Sequence, residues 1–260
     1  MTTQHQLRNT PKSSLPSDLF TLYGRQAVLE ALRDAQIQPY KLHLADSNKE
    51  EGTMAEILTI AQKKQIPLLR HSRMQLSRIS KNGKQDQGVA LDIRLSCLQQ
   101  AQTLNKTMHK KPLRLLALDN VTNPQNVGLI IRSVCAGGMN GIILPKRGCA
   151  RLDALVIKAS AGTFFRTPLF LCDSLAQCLS SLQTDGAELC LMQANAKQSL
   201  FAFQKIYKNI QKTVIYVLGN ETEGVSKTVA AIRHTSIFIP MHNGVESLNV
   251  AMAATLIAYC

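Results

Sequence analysis

The sequence predicts an α/β fold whose C-terminal half is built on a mainly parallel sheet. Three features carry that expectation. With 45% hydrophobic and 18% charged residues, the composition is that of an ordinary globular chain. Apolar strand-like runs alternate with helical patterns from Leu113 onward, as in a parallel sheet covered on both faces. Each conspicuous polar cluster follows one of those runs, where open α/β sheets bind their ligands. At 260 residues the chain is long enough for two α/β domains, each with a core.

Residues 1–18 are polar and contain Pro and Ser, so they are expected to form a disordered leader. They lack the apolar core of a secretion signal. A small α/β domain is expected over 19–96. In "LFTLYGRQAVLEALRDA", Val28, Leu29 and Leu32 make a helical stripe. "KLHLA" (41–45) alternates like a strand, and "MAEILTIAQKKQ" (54–65) reads as an amphipathic helix. "IPLLR" and "GVALDIR" (88–94) supply two more strands. Residues 97–112 are polar, end in Lys110, Lys111 and Pro112, and read as a linker with a helical start. The second domain, 113–260, carries strands "LRLLALD", "GIILP", "ELCLM", "TVIYVLG" and "SIFIP" and closes with the helix "SLNVAMAATLIAY".

The net charge of +13 points to a polyanionic partner, most simply RNA or DNA. Residues 1–112 hold 17 Lys and Arg against 9 Asp and Glu, and residues 113–260 hold 13 against 8. Between 63 and 84 stand Lys63, Lys64, Arg70, Arg73, Arg78, Lys81 and Lys84, with no acid. That one-sided run is the expected phosphate-contacting surface. The seven Cys form no C-x-x-C, which fits reduced thiols in a cytoplasmic protein. No apolar run is long enough to cross a bilayer, and no residue spacing suggests a metal site.

The polar clusters exclude familiar nucleotide motifs. "GNETEGVS" (219–226) has phosphate-loop glycine spacing, but Val225 stands where Lys is required. No G-x-G-x-x-G follows a strand. Instead, "NPQNVGLIIRS", "VLGNETEGVS" and "IPMHNGVESLNVAMAA", in this order and spacing, resemble the three signature motifs of the SpoU (TrmH) RNA ribose methyltransferases of the SPOUT superfamily. "LYGRQAVLEAL" and "DQGVALDI" are similar to the small RNA-binding domain of the ribosomal-RNA branch.

That resemblance implies a C-terminal domain with a trefoil knot, an exception to the rule of unknotted connections. It implies bound S-adenosylmethionine, a homodimer, and 2′-O-methylation of a ribose, on a guanosine of large-subunit ribosomal RNA. Transfer-RNA methylation and a catalytically silent RNA-binding or ribosome-assembly role are the alternatives. By position, Gly219, Ile239 and Leu248 match backbone contacts to the cofactor, and Leu218, Met241 and Ser247 line its pocket. Asn126, Arg132, Glu221 and Asn249 match the polar active-site set, with Arg132 credited with activating the ribose hydroxyl. Taken singly, Asn126 and Ser247 also suit helix N-caps. Leu129 and Thr222 depart from the small residues common at those positions. The chain also ends at Cys260, where relatives often extend the last helix, which implies a weaker dimer.

Overall fold

In the computed structural model, which describes residues 19–35, 37–94, 96–207 and 211–260, the chain forms two sheets. The leader expected over 1–18 lies outside the described residues.

The first sheet is built from β1 (Leu19–Tyr23), β2 (Gln38–Ala45), β3 (Leu68–His71) and β4 (Val89–Arg94), in the order β1-β4-β2-β3. β4 is antiparallel to both β1 and β2, and β3 lies parallel to β2 on an edge. Helices α1 (Arg25–Arg33), α2 (Thr53–Lys63) and α3 (Arg73–Ser80) connect them. The stripe of Val28, Leu29 and Leu32 is buried as its spacing requires. Strand β1 and helix α3 were not expected. α3 has only two buried residues, Leu76 and Ser80, so its periodicity is weak. A capping box starts it instead: Ser72 Oγ accepts from the Gln75 N–H, and Gln75 Oε1 accepts from the Ser72 N–H.

Residues 97–112 are not a simple linker. Leu98–Gln100 forms β5, a parallel edge strand on the second sheet, and Thr103–Met108 forms helix α4. Three polar-flanked residues are too few for a period-2 pattern to show.

The second sheet has eight strands and every ladder is parallel. In chain order its elements are β6 (Arg114–Leu118), α5 (Pro124–Ala136), β7 (Gly141–Pro145), α6 (Ala154–Ala159) and β8 (Leu169–Cys172). There follow α7 (Leu175–Thr184), β9 (Glu188–Met192), β10 (Gln198–Ser199), α8 (Leu200–Tyr207) and β11 (Val214–Leu218). α9 (Lys227–Ala230), β12 (Thr235–Phe238) and α10 (Val250–Tyr259) complete it. The spatial order is β10-β12-β9-β11-β6-β7-β8-β5. The five expected strands are all present, and β8 and β10 join them. Leu115, Leu116, Leu118, Ile215 and Val217 are fully or almost fully buried, worth about 1.5–3 kcal/mol each before entropy is counted.

The chain builds outward from β6 to β7 and β8, then returns to β9 on the other side. β11 is laid down late yet sits between β9 and β6, and β12 sits between β10 and β9. The gap between β6 and β9 is therefore the topological switch point. Near the other end of the sheet the two domains touch, with the Phe20 and Phe164 rings 6.1 Å apart. All seven cysteines are free, and burial pushes the Cys97 and Cys149 thiols up to about 11.

Candidate active site

Three loops leave the carboxyl ends of β6, β11 and β12 and are cross-tied by side chains. At β6, Asn123 caps α5, its Oδ1 accepting from the Gln125 N–H at 2.9 Å, with Pro124 at the first helical position. Asn126 is therefore not the cap. It points inward, 7% exposed. At β11 the chain reverses in a tight bridge between Asn220 and Gly224. Asn220 Oδ1 accepts from the Thr222 and Glu223 N–H groups, and its Nδ2 donates to the Asn120 carbonyl at 3.2 Å. The buried Asp119 carboxylate accepts from the Ser226 N–H at 2.7 Å. At β12, the cap of α10 is Asn249, not Ser247, with Oδ1 accepting from the Ala251 N–H at 2.8 Å.

These tethers bring three of the four expected catalytic side chains into one chain of hydrogen bonds. Asn126 Nδ2 donates to the Glu221 carboxylate, and Asn126 Oδ1 accepts from Asn249 Nδ2 at 3.2 Å. A buried amide with both ends satisfied is fixed in orientation, so the exposed Glu221 carboxylate is held in place from behind. Arg132 is not part of that chain. It lies on the exposed face of α5 and has no hydrogen-bond or ion-pair partner among the described residues.

A cavity of about 380 Å³ opens at the switch point, in the size range of small-molecule sites. All six expected cofactor residues line it: Leu218, Gly219, Ile239, Met241, Ser247 and Leu248. Glu221 stands on its wall. Met192, Gln193 and Ala194, at the end of β9, also line it and were missed. Their sequence carries no motif. The usable signal was positional, since β9 borders the switch point. Gly219 also has a structural task. A Cβ there would lie 2.1 Å from the Gly224 carbonyl carbon, so glycine is needed for the loop to close on itself.

The expected RNA-binding run is divided. Lys64 Nζ donates to the Leu32 carbonyl at 2.6 Å, Arg70 pairs with Glu50 at 2.5 Å, and Arg73 lies 3.5 Å from Asp86. Lys63, Arg78, Lys81 and Lys84 are exposed, with no such partner among the described residues. No group of three or more potential metal ligands occurs among the described residues. No helix among them is long and apolar enough to cross a membrane.

Comparison with known proteins gives this arrangement a family. Residues 114–259 match the SpoU rRNA Methylase family, and residues 21–96 match a domain described as RNA 2′-O ribose methyltransferase substrate binding. A relative from Mycolicibacterium vanbaalenii, described as an uncharacterized tRNA/rRNA methyltransferase, is 30% identical over 242 residues, covering 92% of this chain and 75% of the relative. The fold is shared with the SpoU methyltransferase AviRb of Streptomyces viridochromogenes, solved with AdoMet (TM-score 0.67, 20% identity, 94% of this chain and 89% of that one). It is also shared with a TrmH-family protein of Porphyromonas gingivalis (TM-score 0.64, 23% identity, 93% and 88%). The matched segments coincide with the two sheets, and the second contains all three cross-tied loops. The chain belongs to the SpoU rRNA methylase family.

Proposed function

We propose that this protein methylates the 2′-hydroxyl of a ribose in structured RNA, with S-adenosylmethionine as donor, and that its target is a guanosine of large-subunit ribosomal RNA. The observation that carries the reading is the Glu221–Asn126–Asn249 chain, which reaches the wall of the switch-point cavity through Glu221. The substrate-binding match over 21–96 and the basic N-terminal half support an RNA substrate. The relatives' descriptions as tRNA/rRNA methyltransferases support the reaction class.

The cavity fits the cofactor. Its wall mixes the apolar Leu218, Ile239, Met241 and Leu248 with the polar Ser247 and Gln193, which suits a nucleoside joined to a charged amino acid. Bound there, S-adenosylmethionine supplies an electrophilic methyl group. The backbone of Gly219, Ile239 and Leu248 would hold it, with Leu218, Met241 and Ser247 beside it. The protein's own task is to place a ribose oxygen in line with that methyl. Glu221, fixed through Asn126, and Asn249 orient the ribose.

Arg132 is a poor general base, since a guanidinium titrates above ~12. Its role is to hold the 2′-hydroxyl and stabilise the oxyanion that develops on it. Its exposed face of α5 also carries Leu129, and Met252 is exposed on α10, which packs on α5. A homodimer through this apolar face would enclose Arg132 at the subunit junction. The trefoil-knotted path belongs to the same reading, supported by the late insertion of β11 and β12 between earlier strands.

The test uses purified protein and target RNA. Arg132→Ala is expected to keep the fold and cofactor affinity while losing about 10²–10³-fold in turnover. Arg132→Lys should rescue poorly, because it lacks the planar fork. RNA with one 2′-deoxy nucleotide at the target should bind and accept no methyl. Methyl transfer to that RNA at the normal rate would place the acceptor on a base and overturn the ribose assignment.

A further inference from the structure

A second cavity, of about 440 Å³, lies in the N-terminal domain and is lined by Arg25, Ser47, Asn48, Arg73 and Gln87. It does not belong to the switch-point site; Arg73 belongs to the basic run, and Arg25 and Gln87 lie in the quoted segments "LYGRQAVLEAL" and "DQGVALDI". Its walls come from four separate segments: the start of α1, the turn after β2, the start of α3, and the loop before β4.

These walls are built, not incidental. Asn48 Nδ2 donates to the Gly88 carbonyl at 2.5 Å, and its Oδ1 accepts from Arg25 Nη2 at 3.4 Å. Gln87 Oε1 accepts from the Arg25 N–H at 2.9 Å, with Gln87 itself at a positive φ of 50°. Behind Arg73 lies Asp86, fully buried, which accepts from the Ser80 hydroxyl and the Gly88 N–H, each at 2.9 Å. Asp86 thus pins the 82–88 loop and holds Arg73 through a longer contact of 3.5 Å.

The charge balance is uneven. Arg25 donates only to neutral oxygens, the Gln87 carbonyl and Asn48 Oδ1, both at 3.4 Å. No carboxylate lies within ion-pairing distance of it among the described residues, and none lines the cavity. If Arg25 served only to staple the loop, neutral groups could form those long hydrogen bonds without confining a cation. The lining side chains are moreover rich in free donors. The remaining N–H groups of the two guanidiniums, Gln87 Nε2 and the Ser47 hydroxyl are available, while both ends of the Asn48 amide are consumed internally. A nucleobase edge offers donors as well as acceptors, whereas a phosphate offers acceptors alone. Guanidinium forks match phosphate oxygens in geometry as well as charge.

We propose that Arg25 and Arg73, braced by Asn48, Gln87 and the buried Asp86, form a binding site for one phosphodiester of the RNA backbone. The proposal rests on the reading that RNA is the substrate, and it adds a fixed anchor point to the diffuse basic surface.

The test is equilibrium binding and steady-state methylation of target RNA with the full chain. Arg25→Gln should weaken RNA binding by about tenfold or more, the worth of one charge-assisted contact. Arg33→Gln, which removes the same charge from a surface pair with Glu56, should have little effect. Ser47→Asp guards against a folding defect, because Ser47 is exposed and makes no hydrogen bond among the described residues. It places a carboxylate in the cavity and should raise the KM for RNA with kcat and cofactor affinity unchanged. A titration with inorganic phosphate separates the possible sources: the expected result is competition with RNA only at far higher concentration. Phosphate that displaces RNA at equal concentration would identify a free-anion site and overturn the proposal. Unchanged RNA affinity in both Arg25→Gln and Ser47→Asp would overturn the anchor while leaving the enzyme's substrate intact. No RNA binding by the unaltered protein would remove the substrate reading itself.

Discussion

At the scale of single residues, the N-terminal domain contains a part-buried relay that is expected to contribute to its acid sensitivity. Asp92, 3% exposed, accepts from Thr21 Oγ1 at 2.7 Å and bonds His43 Nε2 at 3.0 Å. His43 Nδ1 in turn meets His71 Nε2 at 2.9 Å. Burial, then the nearby His43, lower the His71 pKa from its ordinary 6.5, against an opposing pull from Asp46. Burial pushes Asp92 upward, but the hydrogen bonds from His43 and Thr21 outweigh it and leave its pKa below 3.8. Both signs favour neutral pH. Below 6.5 the unfolded chain binds a proton at His71 more readily than the folded one, so stability falls as pH drops from neutral towards the folded value. Asp92 contributes stability above 3.8 that is lost as pH falls through its lowered pKa. Thermal melting is expected to show a lower midpoint at pH 5 than at pH 7.5, and His71→Asn should shrink that difference. A midpoint that does not move with pH in the unaltered protein would count against the relay.

At the scale of elements, α5, which carries Asn126, packs closely on α6. Gly128 makes that packing possible, since a Cβ there would lie 2.4 Å from the Ala159 Cβ and 2.6 Å from the Val156 carbonyl oxygen. Ala is the better helix former by about 1 kcal/mol, so an exposed Gly→Ala change in a helix would stabilise. Here the clash involves backbone, and overpacking of this kind costs about 1–3 kcal/mol, occasionally more. Gly128→Ala is therefore expected to lower the denaturation midpoint and Gly128→Val to lower it further. Methyl transfer should fall in the same order, because the shift displaces the start of α5. A stabilised Gly128→Ala protein would show that α6 yields without cost. The same reasoning applies at Gly219, where an added Cβ would strike the backbone of Gly224 in its own loop.

At the scale of the whole molecule, charge is divided unevenly between the domains. The N-terminal half carries the larger excess, and Arg78, Lys81 and Lys84 on and after α3 remain without carboxylate partners among the described residues. Neutralising these three should flatten the dependence of log RNA affinity on log salt by about 0.7–0.9 for each phosphate they would otherwise neutralise. Arg70, paired with Glu50, should contribute less. Cofactor affinity should be unchanged, since the cavity lies in the other domain. An unaltered salt slope would mean that these cations face solvent alone.

The elements most legible in the sequence were those with strong local pattern: the central strands, the amphipathic helices of the first domain, and the three polar loops. Periodicity reports burial, and a central parallel strand is buried along its whole length. Strands β5 and β10 escaped because two or three residues cannot show a period, and α3 because its start is set by a capping box. The motifs likewise named six of the residues that line the cavity, since loops at strand ends are local features, but not Met192, Gln193 and Ala194. Tertiary structure alone decided how those residues are used. The cap of α5 passed from Asn126 to Asn123, and Asn126 became the link between Glu221 and Asn249. Gly219 serves loop closure as well as lining the cavity, Arg132 is exposed on α5, and Arg25 and Arg73 line one cavity. The asparagine link and the arginine-lined cavity depend on which side chain lies opposite which across a long sequence separation, 48 residues for the two arginines and 123 for the asparagine pair. Local chemistry determines that a polar group must find a partner, but only the packed chain determines which one.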